Sequence, residues 1–143
     1  TALEELVQYA EPLGVDVTLE DFDNNLSPCS RTNALLWFMR NVSGLKCTFD
    51  MGNFAFGYEN VMDAYEVLKK YIVHVHCKDR GSEGNGLKSV PTGSGYIPIA
   101  QLVRKLKAGG YCGYLSIEHF GDIDQMESIG QSAHFLKSVL EHG

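Results

Sequence analysis

Four short hydrophobic runs recur along this chain, and each ends at or beside an acidic residue or a histidine. The runs are VDVTLE, LKCTFD, IVHVHC and GYLSIE. A segment with helical periodicity and a loop separate each run from the next, and one further helical segment precedes the first run. Strands that alternate with helices form parallel sheets joined by right-handed crossovers. The pattern therefore predicts an α/β fold in which one helix is followed by four strand–helix units.

The periodicity also predicts where these elements lie. Strands are predicted over 15–20, 45–50, 72–77 and 113–118. Helices are predicted over about 2–11, 32–42, 60–70, 98–108 and 124–141. Loops that leave the strands are mostly long and rich in Gly, Asn, Asp and Ser, and the longest covers 78–98. Long loops at the carboxyl ends of strands are typical of barrel enzymes and open α/β enzymes.

Successive side chains of a strand point to opposite faces, and the four predicted strands share one arrangement. The polar face carries Thr18 and Glu20, Thr48 and Asp50, His74 and His76, and Ser116 and Glu118. The apolar face carries Val15, Val17 and Leu19, then Cys47 and Phe49, then Val73, Val75 and Cys77, then Leu115 and Ile117. A doubly wound sheet covers both faces with helices and shows near-continuous apolar runs. The shared polar face therefore favours the lumen of a (β/α) barrel, or part of one.

The residues at the strand ends predict a divalent-metal site at the carboxyl-terminal rim of that barrel. They are Glu20, Asp50, His76 and Glu118. Three carboxylates and one imidazole suit Mn²⁺, Mg²⁺, Co²⁺ or Zn²⁺ and do not choose among them. Such an ion can hold two neighbouring oxygens of a sugar, and a carboxylate beside it can move a proton to or from carbon. Taken singly, an acidic residue at a strand end is more often a helix cap or a solvated loop residue.

Composition excludes several classes of function. The net charge is −6, and no Lys/Arg cluster that could follow a phosphate backbone is present in the sequence, so no nucleic-acid partner is expected. No apolar run approaches the ~20 residues of a membrane span, so no membrane partner is expected either. The four cysteines are widely spread without a CxxC pair. Cys47 and Cys77 lie in predicted strands as buried thiols, which favours a cytoplasmic location.

Five segments of the chain resemble the xylose isomerase-like barrels. They are VTLEDF, TFDMGN, HVHCKD, LSIEHF and, before the last, GSGYIPIAQLVRKLKAGGYCG. That superfamily includes sugar isomerases and epimerases, inosose dehydratases, hydroxypyruvate isomerases and endonuclease IV. The resemblance covers essentially the whole chain but only strands five to eight of the family's fold. It implies that residues 1–143 form a single domain, the carboxyl-terminal half of a (β/α)8 TIM barrel.

The resemblance also implies roles for individual residues. The metal ligands would be the four strand-end residues, and Glu20 and Glu118 would also form the acid/base pair on opposite sides of the substrate. Lys78, Asp79 and Arg80 would lie at the mouth of the barrel, where Lys78 and Arg80 could contact substrate or serve only in salt bridges. Asn53 stands where many members have a histidine, and its amide could hydrogen-bond a substrate hydroxyl. The segment Gly93–Ser94–Gly95 replaces a GEG that members often carry.

The function implied is a metal-dependent sugar or sugar phosphate isomerase or epimerase, which removes a proton next to a polarised carbonyl. Two alternatives remain open: dehydration of an inosose-like polyol ketone, and a non-catalytic member of the fold that binds sugar. A nuclease like endonuclease IV is disfavoured by the acidic charge and by the lack of further histidines directly after Asp50 and in residues 80–95. Four strands cannot close a barrel, so an absent amino-terminal half or a second copy is the expected partner. The chain alone is expected to have little activity.

Overall fold

The computed structural model describes residues 1–24, 26–84, 86–120 and 124–142. Within these ranges the chain forms five α-helices and six strands. The helices are α1 (Ala2–Ala10), α2 (Thr32–Asn41), α3 (Val61–Leu68), α4 (Ile99–Ala108) and α5 (Gln125–His142). The strands are β1 (Thr18–Glu20), β2 (Lys46–Asp50), β3 (Ile72–Cys77), β4 (Asp79–Glu83), β5 (Gly86–Val90) and β6 (Leu115–Ile117). Short 3₁₀ turns cover Glu11–Leu13 and Asn53–Gly57.

Four of the strands form one parallel sheet in the order β1-β2-β3-β6. This arrangement confirms the α/β class with parallel strands that the alternation predicts. The strands of this sheet lie in the order in which they occur along the chain, with β4 and β5 forming a separate pair between β3 and β6, and this order fits successive right-handed strand–helix–strand units. The outer edges of β1 and β6 pair with no strand among the described residues.

The two faces of the sheet differ as the sequence predicts. On the polar face, Thr18 Oγ1 lies 2.8 Å from Thr48 Oγ1, and Ser116 Oγ lies 3.0 Å from His74 Nε2. The other face packs against the helices. Its core includes Cys47, Phe49, Val75 and Cys77 from the strands with Leu35, Met39, Leu68, Leu102, Leu106 and Leu136 from the helices. The helices therefore cover one face of the sheet, and the polar side chains project from the other.

The first strand is shorter than predicted, and the prediction that Val15 packs against the helices is wrong. Val15 is 58% exposed. Its N–H donates to Ala10 O at 3.2 Å and so completes the end of the preceding helical segment. The ladder to β2 therefore begins only around Val17, whose carbonyl accepts from Lys46 N–H at 2.9 Å.

An antiparallel hairpin occupies part of the segment predicted as one long loop. Strands β4 and β5 pair from Asp79 with Val90 to Glu83 with Gly86. The run is rich in Gly and charged residues and lacks regular alternation of apolar residues, so periodicity does not reveal it. The sequence Gly84–Asn85 between the strands is, however, a recognised hairpin signal.

Among the residues that the structure describes, none of the helices combines the length and apolar character needed to cross a membrane. All four cysteines are free thiols. Cys47 and Cys77 are buried, as predicted.

Candidate metal centre

The four strand-end residues predicted from the sequence come together in the structure. Each contributes one ligand-type atom, and these atoms all lie within 4.8 Å of one another. The parallel register explains the convergence: Asp50 is paired with His76, and His76 with Ser116, so neighbouring strands end at the same level. Glu118 follows β6 directly and Glu20 closes β1. The residues assembled are Glu20, Asp50, His76 and Glu118.

His76 lies between the two glutamates. Its Nδ1 atom is 2.8 Å from Glu20 Oε1 and 2.9 Å from Glu118 Oε2. Asp50 Oδ2 is farther away, at 3.9 Å from the same nitrogen. The hydrogen bond to Glu20 and the charges of the surrounding carboxylates raise the pKa of His76, although burial opposes the shift. Imidazole and carboxylates therefore stabilise one another here without a metal ion.

Asp50 is held rigidly at the base of this cluster. Its Oδ1 accepts the N–H groups of Gly52 at 2.8 Å and Asn53 at 3.0 Å. Its own N–H donates to Asp21 Oδ1 at 3.0 Å. A Cβ at Gly52 would lie 2.7 Å from Lys78 O, so only glycine allows the turn to pack this closely. These contacts leave Oδ2 as the oxygen that faces the cluster.

The donor set fits a divalent metal ion. Asp50 Oδ2 and Glu118 Oε2 are buried and accept no hydrogen bond from the part of the chain that is described. Lys78 Nζ approaches Asp50 Oδ2 to 3.0 Å, but not in hydrogen-bond geometry. Buried carboxylate oxygens with unused acceptor capacity need a partner, and oxygen-rich sites with one imidazole bind Mg²⁺, Mn²⁺, Co²⁺ or Zn²⁺. These four residues could therefore hold one such ion.

Asp50 and Glu118, whose carboxyl groups both lie close to Lys78 Nζ, have pKa values shifted in opposite directions. Burial raises the pKa of Asp50 to about 7, although Lys78 acts to lower it. Burial also acts to raise the pKa of Glu118, but its interactions with the neighbouring Asp50 carboxyl group and with the charge of Lys78 outweigh that effect, and its pKa is lowered. Neighbouring carboxyl groups with pKa values pushed apart are typical of acid/base centres.

Comparison with known proteins identifies the family. The family model described as xylose isomerase-like TIM barrel matches residues 1–139. The chain belongs to this family. A solved structure of a D-tagatose 3-epimerase-like protein matches with a TM-score of 0.79 and 29% identity, over 97% of the chain and 52% of that protein. The half-barrel fold is thereby shown.

Two curated relatives of this xylose isomerase-like chain are similarly distant in sequence. The uncharacterized protein MJ1311 of Methanocaldococcus jannaschii is 30% identical over an alignment of 146 positions, gaps included, which covers 99% of the chain and 48% of that protein. Fructoselysine 3-epimerase of Escherichia coli O157:H7 is 30% identical over 122 residues, which cover 81% of the chain and 42% of the enzyme. The chain thus spans about half the length of the curated relatives it matches, and sugar epimerases are among its homologues.

Beside the four clustered residues, this xylose isomerase-like chain buries both basic residues that the sequence placed at the mouth. Lys78 is 4% exposed, and its Nζ lies 3.2 Å from Glu118 Oε1 and 3.1 Å from Asn53 Oδ1. Arg80 is 6% exposed; its Nη2 donates to Asn53 Oδ1 at 3.0 Å and lies 3.4 Å from Asp23 Oδ2. Both cations are thus tied to internal acceptors, and their contact with substrate stays a prediction.

Asn53 connects these cations to the rest of the site. Its Oδ1 accepts from both Lys78 and Arg80, and its Nδ2 donates to Asp21 O at 2.9 Å. The amide predicted to contact a sugar hydroxyl therefore makes three hydrogen bonds within the protein. A side chain in this position can orient the two cations whether or not it also contacts a sugar.

Of two buried acidic residues near the centre, the sequence placed Asp79 wrongly and gave no role to Asp21. Asp79 was expected at the mouth beside Lys78, but it is fully buried and turned away under the following loop. Asp21 is 1% exposed, and burial raises its pKa well above the usual range. The period-two alternation continues past His76 to Lys78 and Arg80, and extending the count would have placed Asp79 on the opposite face.

We expect Mn²⁺ affinity to fall as the pH falls. Metal ligation requires an ionised Asp50 and a neutral His76, and both pKa values are raised, that of Asp50 to about 7. Acidification from about pH 8 to about pH 6 protonates both groups and should weaken binding by at least about tenfold. Isothermal titration calorimetry across this range measures the change. An affinity that stays constant over the same range would contradict the expected ligand set.

Proposed function

We propose that this chain is the carboxyl-terminal half of a (β/α)8 barrel enzyme that isomerises or epimerises a sugar or sugar phosphate with a bound divalent metal ion. The observation that carries the proposal is the group of four ligand-type atoms within 4.8 Å at the carboxyl ends of parallel strands. Residues 1–143 would form one structural unit of that enzyme. The sugar epimerases among its homologues support the reaction class.

The residues that would hold the ion are Glu20, Asp50, His76 and Glu118. When bound, a divalent ion polarises a substrate carbonyl and holds a neighbouring oxygen. The remaining tasks fall to the protein, which must orient the sugar, remove a proton from the carbon next to the carbonyl and return one. An enzyme of this kind needs two proton-transfer groups when the proton comes back on the opposite side of the carbon.

Glu20 and Glu118 are suited to this pair of tasks. They come from β1 and from the end of β6, the two outer strands of the sheet, so they approach the centre from opposite sides. The lowered pKa of Glu118 keeps it ionised as a base near neutral pH, and Lys78 at 3.2 Å favours the ionised form. Glu118 would remove the proton from carbon, and Glu20 would supply one on the other side. Return of the proton to the neighbouring carbon instead gives isomerisation.

Lys78 and Arg80 are proposed to orient the substrate, with Asn53 between them. A sugar oxygen that reaches the Lys78 ammonium would meet a cation already placed 3.0 Å from Asp50 Oδ2 and 3.2 Å from Glu118 Oε1. Charge-assisted hydrogen bonds of this kind fix orientation more strongly than neutral ones. Asn53, which accepts from both cations, would keep them apart and aligned.

The outer edges of β1 and β6 pair with no strand in the described part of the chain, and this supports the proposed partner. An exposed parallel edge offers unpaired backbone N–H and C=O groups to another strand. The amino-terminal half of the barrel would cover both edges and supply the other wall of the sugar pocket. In its absence a second copy of the chain would be the natural occupant, and the chain alone would have little activity. A cytoplasmic setting is part of the same proposal, and the free thiols support it.

Solvent exchange tests the proposal directly. The full-length protein should be incubated with Mn²⁺ and a panel of ketoses and ketose phosphates in D₂O, and deuterium at carbon followed by NMR. We expect exchange at the carbon next to the carbonyl that EDTA abolishes and added Mn²⁺ restores. A product lighter by one water would indicate a dehydratase instead. Tight Mn²⁺ binding without exchange of any sugar would contradict catalysis and favour a sugar-binding role.

A further inference from the structure

Asp79 is a fully buried carboxylate surrounded by backbone amides. Its Oδ1 accepts the N–H groups of Arg80 at 2.8 Å and Ile97 at 3.2 Å. Its Oδ2 accepts those of Gly93 and Gly95, each at 2.9 Å. Within the described part of the chain, four N–H groups rather than a basic side chain balance its charge. Hydrogen bonds to an ionised acceptor are among the stronger ones in proteins.

The loop that supplies these donors is folded tightly around Asp79. A Cβ at Gly95 would lie 2.3 Å from Asp79 Oδ1 and 2.4 Å from Arg80 O, so a larger residue cannot enter without moving the loop. Tyr96 N–H also donates to Arg80 O at 3.0 Å. At the start of the loop, Thr92 Oγ1 donates to Cys77 O at 2.9 Å. The loop is therefore joined by hydrogen bonds to the segment of residues 77–80, where β3 ends and β4 begins.

The residues on either side of Asp79 carry the two cations of the site. Their side chains leave the strand on the opposite face, because successive residues alternate. Lys78 reaches Asp50 and Glu118, and Arg80 reaches Asn53. A shift or twist of the backbone at residue 79 would move both side chains together. The four backbone N–H groups that donate hydrogen bonds to the Asp79 carboxylate resist such a shift.

We infer that Asp79 is a positioning residue that, through its hydrogen bonds to residues 93–97, fixes Lys78 against the carboxylates of the centre and Arg80 against Asn53. It does not touch the centre itself. This role rests on the proposed function, because the two cations matter for catalysis only if the centre binds a sugar. A simpler role would be to anchor the loop alone, with no effect on the cations. The two roles differ in what happens to Lys78 when the carboxylate is neutralised.

Lysine labelling separates these roles. The metal-free full-length protein is treated with an acetylating N-hydroxysuccinimide ester, and the rate at each lysine is read by mass spectrometry. In the unaltered protein, buried Lys78 should react at least about tenfold more slowly than Lys88, whose side chain is 47% exposed. In Asp79→Asn, loss of the charged acceptor should raise the Lys78 rate about tenfold and leave Lys88 unchanged.

Two further variants complete the experiment. Asp16→Asn removes the same charge at an exposed position and should leave the Lys78 rate unchanged. Gly95→Ala pushes the loop off an intact Asp79 carboxylate and should raise the Lys78 rate as Asp79→Asn does. Gly95→Ala therefore still tests the role of the contact if circular dichroism shows that Asp79→Asn does not fold.

Faster amide exchange in residues 93–97 with an unchanged Lys78 rate would overturn the positioning role and leave Asp79 as a loop anchor. Failure of both Asp79→Asn and Gly95→Ala to fold would also overturn it, since Asp79 would then serve folding. The labelling requires neither metal nor sugar. An inactive protein with the expected labelling pattern would therefore refute the proposed function without refuting the role of Asp79.

Discussion

Replacing Glu118 by Gln is expected to lower kcat of the full-length protein at saturating Mn²⁺ by about 10³- to 10⁴-fold. Gln has nearly the same shape, but it cannot accept a proton from carbon. The pKa of Glu118 is lowered, which favours the ionised form that the proposed base must have at neutral pH. Turnover, or deuterium exchange into the sugar, measures the effect.

Saturating Mn²⁺ matters for this measurement because Glu118 is also a proposed ligand. A loss that disappears when more Mn²⁺ is added would assign Glu118 to metal binding alone. Glu83→Gln is a suitable control, because Glu83 is exposed on the β4–β5 hairpin and pairs only loosely with Lys88, at 3.9 Å. Its activity should be unchanged. Equal activity in Glu118→Gln and the unaltered protein would rule out the catalytic role.

Replacing Asp50 by Asn is expected to weaken Mn²⁺ binding by at least about 100-fold. The Asp50 side chain is fully buried, and its Oδ2 is a carboxylate oxygen that faces the cluster without a hydrogen bond among the described residues. Asn replaces a charged oxygen ligand by an amide and leaves the shape of the site nearly unchanged. Isothermal titration calorimetry gives the dissociation constant for the unaltered and altered proteins.

Asp21→Asn is the matched control for that change. Asp21 is as deeply buried as Asp50 and accepts its N–H, but it is not among the clustered ligand atoms. The amide oxygen of Asn can still accept the N–H of Asp50, as the carboxyl group of Asp21 does, so the substitution keeps this contact. Its Mn²⁺ affinity should fall by about tenfold, at the low end for a residue that only supports a ligand, and so by clearly less than in Asp50→Asn. Equal losses in both variants would mean that Asp50 acts through the local fold and not as a ligand.

The sequence was most informative about the polar face of the sheet, because the same alternation of polar and apolar residues recurs in all four parallel strands. Glu20, Asp50 and Glu118 follow alternating polar positions, and parallel strands that end at one level must bring such residues together. That logic needs only local periodicity and the register of the sheet. It predicts the parallel α/β fold and the members of the cluster. In the structure the ligand-type atoms of those members lie within 4.8 Å of one another.

The sequence was least informative where polar groups are buried through long-range contacts. Lys78 and Arg80 lie in a charged, glycine-rich segment that usually reads as a solvated loop. Their burial depends on acceptors at Asp50 and Asn53, which are distant along the chain. Asp79 is buried because a loop more than ten residues later folds around it. Hydrogen bonds and ion pairs between residues distant along the chain leave no periodic pattern in the sequence, so only the folded structure shows them.

The cluster draws all its members from four strands that are consecutive neighbours in one sheet. Its geometry therefore depends on hydrogen bonds within this half of a barrel and on no strand from elsewhere. Recombination between related genes could exchange the opposite half while these four side chains kept their mutual distances. Lineages built in this way could diversify the molecules they recognise and still inherit one unaltered cluster of three carboxylates and an imidazole.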